Sequence, residues 1–131
     1  MFKADDYRLK IKALEETLGE AKYALDIDAI SEKLKELKAE QEKPEVWQDL
    51  ERSAKIGREI SSIEGKIASY MKGRKALDDA NEIIDLIEET EEEDLVPELD
   101  RMMTDAEKDI EEMRIRAVSY THLRAHETEA D

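Results

Sequence analysis

His122 and His126 are the two imidazoles of the chain and stand four residues apart. On a helix that spacing places both on one face, where they could form half of a zinc site. Glu127 and Glu129, the nearby carboxylates, do not share that face well, so a third ligand is missing. The chain carries 36 Asp and Glu residues. Paired carboxylates can act as general acid and nucleophile in glycoside hydrolysis. Spread along amphipathic helices, they are more simply the solvent side. Cysteine is absent, which removes thiolate nucleophiles, thiolate metal sites and disulfides. The four glycines, Gly19, Gly57, Gly65 and Gly73, are isolated, so no glycine-rich phosphate loop exists. Met102 and Met103 read as flank and core of one helix. No catalytic, cofactor-binding or metal-ligating residue is therefore assigned, no cofactor is expected, and an enzyme is not expected.

Composition narrows the function classes further. The formal charge is -15, and charged residues make up 44% of the chain against 5% aromatics. So strong an acidic balance disfavours binding to nucleic acid, where the polyanion rewards Lys and Arg. The acids concentrate between Glu88 and Glu112, as a solvated helix face or as a surface for a basic protein. One domain fits the length, and long helices sharing a narrow apolar seam suit the few large apolar residues. No apolar run approaches the ~20 residues that span a bilayer. The opening Met1-Phe2-Lys3-Ala4-Asp5-Asp6 is followed by no apolar stretch typical of a signal peptide. A cytoplasmic protein with no membrane partner is the expectation.

Four helical segments account for the apolar spacing. Ile11, Leu14, Leu18, Ala21 and Leu25 form one stripe on a first helix running from Asp5 or Asp6 to about Ala24. Asp26 or Asp28 can cap a second, with Ile30, Leu34 and Leu37 on its inner face. The third and longest carries Ile56, Ile60, Ile63, Ile67 and Tyr70, then Leu77, Ala80, Ile84 and Ile87. Gly73 lies between the two halves and costs about 1 kcal/mol relative to alanine, so a weakened turn is expected there. After the acidic break, Asp94 is the preferred N-cap of a fourth helix, with Pro97 in its first turn, over the rival capping box of Thr90 and Glu93. Leu99, Met103, Ala106, Ile110 and Met113 line it. The fold class is all-α: an antiparallel helical bundle or hairpin of about four helices, with long third and fourth helices pairing antiparallel.

One connector is more specific. Pro44 must end the second helix near Lys43. Val46 and Trp47 then fall between helices, and Trp47 is expected to plug the seam rather than point at water. The Pro44-Glu45-Val46-Trp47 element, with Leu34 and Leu37 before it and Ile60-Ser61-Ser62-Ile63 after it, resembles the N-terminal domain of the bacterial peptide chain release factor 2 family, class I translation termination factors. Tyr23-Ala24-Leu25-Asp26-Ile27-Asp28 resembles the family's linker before its second helix. Leu86 to Asp94 resembles its acidic linker before the last helix of the domain.

The resemblance covers residues 1–116 and implies a domain of a protein that directs translation termination at UGA or UAA. Family chains are several-fold longer. Their Gly-Gly-Gln tripeptide, which acts at the peptidyl transferase centre, and their Ser-Pro-Phe tripeptide, which helps read the stop codon, do not occur here. The chain thus reads as a fragment that neither reads the codon nor hydrolyses peptidyl-tRNA. The implied partners are the ribosome near its stalk base and, indirectly, the class II release factor GTPase, with little nucleic-acid affinity for the fragment itself. Residues 117–131 follow neither the seam spacing nor the family and resemble translated adapter sequence, so they are set apart as an artefactual tail. The alternative is a stand-alone helical-hairpin interaction module, which the seam spacing supports equally.

Overall fold

The computed structural model of the protein describes the backbone of residues 2–130 and the side chains of residues 2–119. It is all-α, with no strand among the described residues. Five helices follow in order: α1 (Ala4–Leu25), α2 (Ile27–Gln41), α3 (Pro44–Trp47), α4 (Leu50–Thr90) and α5 (Val96–Ala130). A 3-10 turn, Glu93–Leu95, leads into α5.

The breaks between helices have local causes. The joint between α1 and α2 is a single residue and not a linker. Asp26 adopts φ 56°, in the left-handed region, and its N–H donates to the Lys22 and Tyr23 carbonyls. Asp tolerates that conformation better than most side chains. Asp26 is also the N-cap of α2, but its side chain makes no capping bond. Lys43 is extended, as a residue before proline must be, and Pro44 opens α3 at a position where its missing N–H costs nothing. Asp49 caps α4 by accepting from the Arg52 N–H at 3.2 Å. The acidic run stays helical through Thr90, and Glu91 stops α4 at φ 59°. Asp94 lies inside the 3-10 turn rather than capping α5; Pro97 does fall in the first turn of α5.

Packing divides into two cores strung along α4. The larger joins α1, the C-terminal half of α4 and α5, and buries Ile11, Leu18, Leu77, Ile84, Leu99 and Ile110 among others. Arg8 meets Asp85 and Glu88, while Gly73 meets Leu18, so α1 runs antiparallel to α4. Gly73 meets Ile110, while Ser61, Gly65 and Ser69 share a cleft with Met113 and Arg116, so α5 runs antiparallel to α4 as well. The smaller core joins α2, α3 and the N-terminal half of α4 through Leu37, Val46, Ile56, Ile60 and Ile63. Ile30 packs against both.

Two expectations are corrected here. The turn at Gly73 is not weakened: α4 is continuous from Leu50 to Thr90, and Gly73 is buried. A Cβ there would sit 3.1 Å from Leu18 Cδ1 and 3.3 Å from Ile110 Cγ1. The glycine lets α1 and α5 approach α4 closely, and tertiary packing outweighs its low helix propensity. The seam also does not end at Arg116. α5 continues, and Ala117 is 1% exposed, at the next step after Ile110 and Met113. Alanine is small enough to pass for a spacer in a polar stretch, which hid its place on the stripe.

Candidate interaction surface

The described residues offer no chemical constellation. No group of three or more His, Cys, Asp or Glu among them could hold a metal. His122 and His126 lie outside the residues whose side chains are described. No polar or charged side chain is buried among the described residues. Carboxylates instead pair with bases on the surface: Arg52 with Glu40 between helices at 2.6 Å, and Arg74 with Asp78 at 2.8 Å and Lys75 with Asp79 at 2.7 Å along α4. Hydrogen bonds from these partners raise the pKa of Arg52, Arg74 and Lys75. Glu111 is held below the usual carboxylate range by its hydrogen bonds with Arg114. Met103 is buried in the larger core and Met102 packs at its edge.

Tyr7 links its phenol to a carboxylate across two helices. Its hydroxyl donates to Asp100, tying α1 to α5. That bond, with burial second, pushes the Tyr7 phenol up to about 12. Arg8 beside it holds Glu88 and Asp85, so its pKa is raised too, mainly by the bond to Glu88. These contacts fasten one end of the bundle.

The most distinctive surface is at the opposite end, where α2 turns through α3 into α4. Val46 is fully buried and fills the seam between Leu37 and Ile56. Trp47 does not plug it. Its side chain is 56% exposed, and Leu50, three residues on, is 82% exposed. The one-turn helix α3 explains the exchange: adjacent residues on a helix point about 100° apart, so only one of Val46 and Trp47 can face inward. Sequence reasoning chose the larger residue, and the structure buries the β-branched one. From Glu40 to Arg52 the tip has five acids (Glu40, Glu42, Glu45, Asp49, Glu51) and two bases (Lys43, Arg52). Arg52 is committed to Glu40. The tip therefore presents exposed apolar side chains within an acidic surround.

A cleft of about 390 Å³ lies between α4, α5 and the end of α1. Leu25, Ser61, Gly65, Ser69, Met113 and Arg116 line it. No helix of the described residues is long and apolar enough to cross a membrane.

Comparison with known proteins places these features in a family context. The PCRF domain model matches residues 30–126, a span that takes in most of α2, all of α3 and α4, and most of α5. Three curated relatives share the name "Peptide chain release factor 2". The one from Stenotrophomonas maltophilia is 36% identical over 115 residues, covering 82% of this chain and 30% of the relative. The one from Tolumonas auensis is 31% identical over 116 residues, covering 88% of this chain and 32% of the relative. The one from Proteus mirabilis is 29% identical over the same length, with the same coverage. The chain thus spans about a third of the length of the curated relatives it matches.

Proposed function

Because the chain belongs to the PCRF domain family, we propose that it is the N-terminal helical domain of a peptide chain release factor 2, acting in translation termination at UGA or UAA. The observation that carries this reading is the matched span itself. It contains the α2–α3–α4 turn, in which Pro44 ends one helix and Val46 packs the next against it. In this reading the domain is non-catalytic and cytoplasmic. It is a positioning element for codon-reading and hydrolytic parts that this sequence does not contain. Its partners are the ribosome near the stalk base and, indirectly, the class II release factor GTPase. A chain of charge -15 has little attraction of its own for ribosomal RNA, so its contact is with ribosomal protein.

A chimera tests this. Residues 1–116 joined to the downstream domains of the Proteus mirabilis factor should fold and release peptide from ribosomes stalled at UGA, while the isolated chain should release none. A folded chimera that fails to occupy terminating ribosomes would overturn the reading in favour of a stand-alone interaction module. The division of the chain at Arg116 is part of the proposal, amended at Ala117, which packs in the larger core. Deleting residues 118–131 should shift the melting midpoint by no more than a degree or two, as for surface changes within about 0.5 kcal/mol. A drop of ten degrees would make the tail part of the domain.

A further inference from the structure

The smaller core is complete without the chain's single tryptophan. Val46, Leu37, Ile56, Ile60 and Ile63 close it, and Trp47 is left 56% exposed beside Leu50 at 82%. Tryptophan is costly to leave in water and is enriched among the residues that dominate protein–protein binding. We propose that the α3 corner is a docking tip, with Trp47 and Leu50 as its apolar anchors and a basic protein surface as its occupant. This rests on the release-factor reading and names the residues and partner chemistry that reading leaves open.

Charge selects the occupant. Between residues 40 and 52 five acids oppose two bases, and one of those bases, Arg52, is held by Glu40 at 2.6 Å. Such a rim repels the phosphate backbone of RNA. It also repels a second copy of the same tip. It favours a positively charged protein surface, and steers its approach, while Trp47 and Leu50 supply the apolar contact. Pro44 at the start of α3 and the Asp49 cap on α4 hold the corner in one conformation, so little ordering is needed on binding.

The test uses the full 131-residue chain and salt-washed large ribosomal subunits. Trp47→Ala with Leu50→Ala should melt like the parent, since both side chains are exposed, and should bind at least tenfold more weakly. Glu45→Lys with Glu51→Lys should also weaken binding, leaving the Asp49 cap intact. A photoreactive p-benzoylphenylalanine in place of Trp47 should cross-link to a basic ribosomal protein. Cross-linking to RNA, cross-linking to a second copy, tighter binding by the lysine variant, or no binding by the parent chain would each overturn the proposal. The chimera separates the two readings. If it releases peptide while the Trp47→Ala, Leu50→Ala chain binds subunits like its parent, the docking tip fails and the release-factor domain stands.

Discussion

Tyr7 is the side chain whose protonation bears most directly on the bundle. Its hydroxyl donates to Asp100, and its pKa is raised to about 12 from an ordinary 10.0. A raised folded-state pKa contributes stability that is fully present below the unfolded value and is lost as pH rises through the folded one. The protein should therefore lose stability between about pH 10 and 12, and Tyr7→Phe should remove that loss while costing about 0.5–1.5 kcal/mol at neutral pH. Urea melts at pH 8 and across pH 10 to 12 would check both. Glu91 offers the opposite opportunity. It closes α4 in the left-handed region at φ 59°, where glycine is strain-free, and its charge sits at the negative end of the helix dipole. Glu91→Gly should stabilise by up to about 1 kcal/mol, read as a higher melting midpoint. A fall would mean that the Glu91 side chain is needed where it stands.

At the scale of elements, the glycines of α4 divide by what surrounds them. Gly57 has nothing within 4 Å of a would-be Cβ, whereas Gly73 meets Leu18 and Ile110. Gly57→Ala should stabilise by up to about 1 kcal/mol through helix propensity alone. Gly73→Leu should destabilise by about 1–3 kcal/mol by forcing α1 and α5 off α4. Thermal melts of the two variants should move in opposite directions. The same contrast shows what the sequence could reveal. Apolar spacing alone identified the stripes of α1, α2, α4 and α5, because burial repeats with the helical period. It identified Pro44 as a stop, because proline acts locally. It misread Gly73, Trp47 and Asp94. Whether a glycine weakens a helix or admits a neighbour depends on residues far away in sequence. Which of Val46 and Trp47 faces inward depends on the phase of a four-residue helix. Asp94 failed as a cap because a 3-10 turn intervened. The docking corner was legible as a motif but not as a surface, since exposure is a tertiary property.

For the whole molecule, α4 is the common spine. At 41 residues it spans about 60 Å, and its inward face changes partner midway. The N-terminal half meets α2 and α3, the C-terminal half meets α1 and α5, and α2 makes no contact with α5 among the described residues. The cation of Lys22 over the Tyr70 ring, 5.7 Å from its centroid, lies near the changeover. Most of the charge of -15 lies between Glu88 and Glu112, where exposed ion pairs, each of small individual worth, relieve it locally.

A spine shared by two cores, with Ile30 packed against both, allows them to open one at a time. Among the described residues the smaller core has five buried residues and the larger sixteen, so the α2–α3 arm should be the first unit to unfold. Native-state amide hydrogen exchange should then show two plateaus: faster exchange for α2 and the first half of α4, slower exchange for α1, the second half of α4 and the packed part of α5. Val46→Ala should lower the first plateau and leave the second in place, whereas a single plateau lowered throughout would make the protein one cooperative unit. The arm that carries Trp47 would then be free to unzip and re-form while the rest of the bundle keeps its shape.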